Sequence, residues 1–104
     1  MVRTKVTKTL NWSARAKANV AEIADFYDRR NGSPTYSNRL VREFEKRMNL
    51  VVANSHLGQE WGEEEFRYVI VKPFQLFYYV TETEVIVAAV WDARRDPDTL
   101  KLTR

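Results

Sequence analysis

The sequence has no cysteine, one histidine, three glycines, three prolines and no apolar run long enough to cross a membrane. Without cysteine the chain has no disulfide, no thiolate metal ligand and no cysteine nucleophile. A single histidine, His56, excludes a histidine metal cluster and a serine–histidine relay. We therefore expect no metal and no cofactor.

What the sequence does contain is enough apolar material for a core. Of its 104 residues, 44% are hydrophobic and 30% are charged. This length and composition predict a single domain, residues 1–104. The first ten residues, MVRTKVTKTL, lack the apolar segment of a secretion signal, so we expect a cytoplasmic protein that does not enter a membrane.

The net charge of +3 is unevenly distributed. Residues 1–50 contain 11 lysines and arginines against 5 acidic residues, whereas residues 51–104 contain 6 against 9. A basic half favours an acidic partner, such as nucleic acid, an RNA-rich assembly or an acidic peptide. Two solvated helix surfaces rich in arginine would give the same count, and charge alone leaves both interpretations open.

Three apolar runs between residues 66 and 91 organise the chain. They are Phe66–Val71, Phe74–Val80 and residues 85–91, each of strand length and rich in β-branched and aromatic residues. The gaps between them are too short for a crossover helix, which predicts an antiparallel meander. Residues 85–91 include no polar side chain, which indicates a strand buried on most of both faces, and charged residues follow it at once.

Two helices are predicted before the meander. Residues 14–30 carry an apolar stripe at helical spacing, with Ser13 as N-cap and Gly32 as the left-handed C-terminal residue. Residues 34–52 follow directly, with Ser33 as cap and Pro34 in the first turn. The short connection predicts an antiparallel hairpin whose apolar stripes cover one face of the sheet.

Residues 5–12 place Val6, Leu10 and Trp12 at even spacing, which is typical of a half-exposed edge strand. Residues 54–65 are interpreted as a loop. The sequence thus predicts an α+β fold of order β-α-α-β-β-β. In this fold a helical hairpin packs on one face of a small, mostly antiparallel four-stranded sheet, and the other face is open or covered by a partner.

The order and spacing of these segments resemble the RelE/ParE superfamily of bacterial type II toxins, also called plasmid-stabilisation proteins. The resemblance covers nearly the whole chain. The segments that carry it are Asn11-Trp12-Ser13, the two helices, Leu57-Gly58, Arg67-x-Val69-x-Val71, Phe74-Gln75-Leu76-x-Tyr78 and VWDARRDP at residues 90–97.

The resemblance implies one of two activities. RelE-like members cleave mRNA in the ribosomal A site, using lysine, arginine and tyrosine side chains to move protons and neutralise phosphoryl charge. ParE-like members lack that cluster and inhibit DNA gyrase by binding it. In both cases the resemblance implies a cognate antitoxin as partner, with operator DNA contacted through the antitoxin alone.

Most positions of the ribonuclease cluster are altered in this chain. Where ribonuclease members carry basic residues on the second strand, this chain has Tyr68 and Ile70, and where they carry an arginine on the third strand it has Gln75. Arg95 matches their arginine after the last strand, and Lys101 stands where they often have a tail tyrosine. The resemblance therefore favours the ParE-like branch and binding over catalysis.

The resemblance also implies a target- or partner-binding surface on the sheet and at the end of its last strand. Its candidate residues are Arg67, Tyr68, Gln75, Phe77, Tyr79, Trp91, Arg94 and Arg95. Arg94 and Arg95 are also the candidate catalytic residues if the chain is an enzyme. Several of these residues also have a possible structural role. Arg67 could form an ion pair with an acidic loop residue, and Arg94 and Arg95 could pair with neighbouring aspartates. Tyr79 and Trp91 could belong to the core.

Three functions thus stand in competition. The first is inhibition of DNA gyrase by binding. The second is ribosome-dependent mRNA cleavage, with the ribosome and mRNA as partners and with Lys72, Tyr68 and Lys101 assisting the two arginines. The third is a non-toxic scaffold that binds the antitoxin.

Overall fold

The computed structural model describes residues 8–62 and 65–104. The elements in chain order are β1 (Thr9–Trp12), α1 (Ala14–Asn31), α2 (Thr35–Ala53), β2 (Gln59–Trp61), β3 (Phe66–Val71), β4 (Phe74–Val80), β5 (Glu84–Asp92) and a 3-10 turn (Pro97–Thr99). The predicted α+β order is confirmed, with β2 as an addition. Residues 5–7 of the predicted first strand lie outside the described residues.

The strands form one mixed sheet in the order β1-β5-β4-β3-β2. The predicted antiparallel meander of β3, β4 and β5 is confirmed. β1 lies at the edge, as predicted, and pairs in parallel with β5. The predicted count of four strands was wrong, because residues 59–61 pair with β3 and form a fifth strand where we expected only loop. This strand has three residues, two of them polar and exposed, so no alternation of apolar residues announces it.

Both helices begin and end close to where the sequence predicts. Ser13 caps α1 by accepting a hydrogen bond from the Ala16 amide at 3.1 Å, and Gly32 ends it with φ of 66°. α2 begins at Thr35, one residue after the expected start. The predicted cap was wrong, because Pro34 is the N-cap residue and makes no side-chain cap hydrogen bond, although the Ser33 hydroxyl accepts from the Thr35 amide. In the described part of the chain, neither helix has the length and hydrophobicity needed to cross a membrane.

The main core lies between the helical hairpin and one face of the sheet. α2 supplies Phe44, Met48 and Val51, which are at most 1% exposed. They pack with residues of β4 and β5, among them Leu76 and Val87. Burying these side chains supplies the main driving force for folding, at about 25 cal/mol for each Å² of apolar surface.

The opposite face of the sheet, here called the second face, carries a row of mostly aromatic residues. Its residues are Tyr68, Ile70, Gln75, Phe77, Tyr79 and Trp91, placed together by the pairings of β3 with β4 and of β4 with β5. The prediction that this face is open or covered by a partner was wrong for its centre. Phe77 is fully buried, because Trp61 and two residues of the C-terminal tail, Leu100 and Leu102, pack against the cluster that it forms with Trp91.

Candidate binding site

Aromatic rings in edge or tilted contact form the centre of the second face. The ring of Phe77 lies 5.2 Å from that of Trp61 and 5.4 Å from that of Tyr68, measured between centroids. Tyr79 makes a similar contact with Phe66, at 5.6 Å. Phe77 and Phe66 are buried beneath their neighbours, and the half-buried rings of Tyr68 and Tyr79 above them give a rigid apolar surface with polar edges, a composition that is enriched at protein interfaces.

The C-terminal tail, residues 100–104, runs along this surface. Leu100 is 6% exposed and packs with Phe77 and Trp91. The Arg15 guanidinium donates to the carbonyl of Lys101. At the far end the Arg104 guanidinium lies 4.8 Å from the Tyr79 ring centroid and 3.5 Å from a carboxylate oxygen of Glu65.

Arg95 lies at the edge of the second face. Its guanidinium carbon is 4.6 Å from the centroid of the Trp91 ring, and its side chain is exposed. The Arg95 amide donates to the carbonyl of Asp92 at 3.0 Å, which closes a turn directly after β5. The arginine that the resemblance singled out is therefore placed beside the aromatic surface.

Arg94 is directed away from that surface. It binds the Asp92 carboxylate through two hydrogen bonds, from Nε to Oδ1 at 2.9 Å and from Nη2 to Oδ2 at 2.7 Å. Asp92 lies opposite Phe74, on the helix-covered face. The hydrogen bond from Arg94 holds the pKa of the Asp92 carboxyl below its usual value, and the carboxylate in turn raises the pKa of Arg94.

Arg67 also lies on the helix-covered face, opposite Tyr78. Its guanidinium donates to the Gly58 carbonyl at 2.8 Å and pairs with Glu60 at 3.2 Å. This is the structural ion pair with an acidic residue that the sequence predicts. Tyr78 completes the connection, because its hydroxyl accepts from the Gly58 amide at 2.8 Å and donates to the Ser55 carbonyl at 3.0 Å.

The structure therefore divides the candidate residues into two groups. Those gathered on the second face or at its edge are Tyr68, Gln75, Phe77, Tyr79, Trp91 and Arg95. Arg67 and Arg94 lie on the other side, each paired with a carboxylate. Sequence reasoning did not place Trp61 and Arg104 at this surface, because their contacts join segments far apart in the chain.

The arrangement suits binding better than acid–base chemistry. None of the six residues that define the second face is cationic. The guanidinium groups beside it, those of Arg95 and Arg104, are stacked on aromatic rings. Cleavage of a phosphodiester needs cations around the phosphoryl group and groups that transfer protons.

Comparisons with known proteins agree with this description. The family model of the ParE toxin of type II toxin-antitoxin system, parDE, matches residues 10–97. A chain from the solved structure described as "Chromosomal ParDE TA system from P. aeruginosa" superposes with a TM-score of 0.72. It is 20% identical, and the superposition covers 83% of this chain and 96% of that one, so it shows a shared fold. No curated protein sequence matches. The family match over most of the chain shows that it belongs to the ParE toxins of type II toxin-antitoxin systems, within the RelE/ParE superfamily.

Proposed function

We propose that this protein is a toxin that inhibits DNA gyrase by binding it, and that a cognate antitoxin neutralises it. The observation that carries the proposal is the composition of the second face. It is aromatic and without cations on its strands, with Arg95 stacked at its edge on Trp91. Aromatic residues with a neighbouring arginine are the side chains that most often dominate binding energy at protein interfaces.

The charge distribution argues against RNA cleavage at this surface. Of the candidate arginines, only Arg95 is exposed at the edge of the second face, whereas Arg94 and Arg67 are paired elsewhere. Arg94 is held by two hydrogen bonds to Asp92, and Arg67 is held on the opposite face. These ion pairs lie at the surface and contribute only about 0–1 kcal/mol each, so the position of the two arginines, rather than the strength of their pairs, argues against a phosphoryl site. Binding of a protein requires neither arginine to move.

An antitoxin partner is supported by the family. The similar solved structure is described as a toxin-antitoxin system, and the family model is named for one. The described structure offers the antitoxin an aromatic second face on one side and an arginine-rich helical hairpin on the other. An acidic, amphipathic segment that folds on binding suits the second face, where its apolar residues can contact the aromatic rings and its carboxylates the flanking arginines.

The test is gyrase activity in the presence of purified protein. We expect loss of supercoiling, or accumulation of cleaved DNA, at saturating toxin, and recovery when the antitoxin is added. The control variant is Leu50→Ala, which removes an apolar side chain that is 51% exposed on α2, on the helical side of the sheet, and it should inhibit gyrase as the wild type does. Unchanged supercoiling and cleavage at saturating protein would overturn the proposal. Ribosome-dependent cuts in a translated mRNA would favour the ribonuclease instead.

A further inference from the structure

The outward side of α2 carries a row of cations that the proposed function does not use. The buried side of this helix is formed by Leu40, Phe44, Met48 and Val51. At 100° per residue, Arg39, Arg42 and Lys46 point within about 60° of one another on the opposite side. All three are exposed. They span about 10.5 Å along the helix axis. We call these three residues the α2 basic row.

The α2 basic row is weakly neutralised by the protein itself. Lys46 pairs with Glu43 at 3.7 Å, and this pair is exposed to solvent. Within residues 8–62 and 65–104, neither Arg39 nor Arg42 has a carboxylate within 4.0 Å. Exposed single ion pairs contribute only about 0–1 kcal/mol. The positive potential of the row is therefore available to a partner.

The side chains around the row determine which partner suits it. From Asn38 to Asn49 every exposed position of α2 is polar or charged. An amphipathic acidic peptide needs an apolar groove for its anchoring residues, and the groove that Val41 and Phe44 line lies between α2 and α1, not along the α2 basic row. A nucleic-acid backbone needs only cations, and duplex DNA carries one phosphate per 3.4 Å of axis on each strand. The row matches about three such phosphates in length.

We propose that the outer side of α2 binds the phosphate backbone of duplex DNA without sequence preference. The row lies on the far side of the helical layer from the second face, so DNA and a protein target can be bound at the same time. Since a gyrase target is itself bound to DNA, contacts of this kind would add to toxin affinity. DNA binding by the α2 basic row is distinct from gyrase inhibition and is measured without gyrase.

The experiment is binding of the full-length protein to a short fluorescent duplex at several salt concentrations. Three phosphate contacts predict a slope of log affinity against log salt of about −2.7. Replacing two cations in Arg39→Gln/Arg42→Gln should reduce the slope to about −0.9. Arg39→Lys/Arg42→Lys, which keeps both charges, should retain the wild-type slope, because lysine binds phosphate as a point charge.

The control variant has the same net charge as Arg39→Gln/Arg42→Gln. Arg29→Gln/Lys72→Gln removes two exposed cations elsewhere, and should retain the wild-type slope. Glutamine is nearly as good a helix former as arginine, and Lys72 is exposed in the turn between β3 and β4, so both variants should fold. An equal reduction of the salt slope in Arg29→Gln/Lys72→Gln would overturn the proposal. So would tighter binding of single-stranded RNA, equal competition by polyglutamate, or failure of the wild-type protein to bind the duplex at low salt.

Discussion

The guanidinium of Arg95 lies over the indole ring of Trp91, 4.6 Å from its centroid, at the point where β5 leaves the sheet. The ring is 8% exposed and fixed by Phe77 and Leu100, whereas the arginine is exposed. A cation–π contact whose cation remains exposed to solvent contributes about 0.5–1 kcal/mol. The contact therefore does little for folding, but it holds a cation at the edge of an aromatic surface.

Arg95→Ala should weaken toxicity strongly and change stability little. If the arginine is a dominant contact at the interface, its loss costs at least about 2 kcal/mol of binding, or roughly thirtyfold in affinity for the target. Growth after induction and gyrase inhibition by purified protein measure the first effect, and thermal unfolding measures the second. Arg29→Ala, on the exposed side of α1, is the control and should stay toxic. Unchanged toxicity of Arg95→Ala would remove this residue from the interface.

Tyr78→Phe should destabilise the protein by about 1–3 kcal/mol. The substitution leaves the Gly58 amide and the Ser55 carbonyl without their shared hydroxyl, in a fully buried position. Tyr68→Phe is the comparison, because its hydroxyl donates to Gln59 at an exposed site, where water replaces the bond. Urea unfolding of both variants gives the difference. Equal effects would show that the Tyr78 hydroxyl makes no special contribution.

The stability of the protein should fall in alkali because of Tyr78. Burial raises the pKa of its phenol above the ordinary value of 10.0. The unfolded chain therefore loses the phenolic proton first. The contribution of the neutral phenol is fully present below pH 10, and it is lost as the pH rises through the folded pKa. Comparing the wild type with Tyr78→Phe isolates this effect from the other tyrosines and lysines. If the free energies of unfolding of the two proteins fell in parallel between pH 9 and 12, the alkaline loss of stability would not come from Tyr78.

Gly58→Ala should destabilise the protein by about 1–3 kcal/mol, because the site has no room for a methyl group. A Cβ here would lie 2.5 Å from the Tyr78 hydroxyl and 2.8 Å from the backbone carbonyl of Tyr68, which cannot move aside. Gly32→Ala tests the destabilisation caused by backbone conformation alone. That site has open space but a φ of 66°, so only the backbone penalty of about 1–2 kcal/mol applies. A wild-type melting temperature for Gly58→Ala would refute the close packing of the loop on β4.

The sequence predicted the elements whose signals are local and missed those that depend on distant partners. Cap residues, helical stripes and strand-length apolar runs determined both helices and the meander. The uniformly apolar run Phe66–Val71 could not fix its own register. The register of β3 is set by its pairing with β4, in which Tyr68 lies opposite Phe77 and Ile70 opposite Gln75. This pairing places Tyr68 and Ile70 on the second face.

The missed features share a physical cause. Strand β2 has three residues and is defined by its pairing with β3. The tail is held by contacts of Leu100 with Phe77 and of Arg104 with Tyr79, which join segments more than twenty residues apart. Adjacent arginines at the end of β5 look equivalent in sequence. Asp92 distinguishes them by binding Arg94 through both of its oxygens.

The measurement that tests the central proposal most directly is incorporation of labelled precursors in the minutes after this protein is induced on its own in bacteria. Inhibition of gyrase predicts that thymidine incorporation falls first, while leucine incorporation continues. An early collapse of leucine incorporation would show the ribosome to be the target and would contradict the account of the second face as a protein-binding surface. Normal growth with both incorporations intact would contradict toxicity itself.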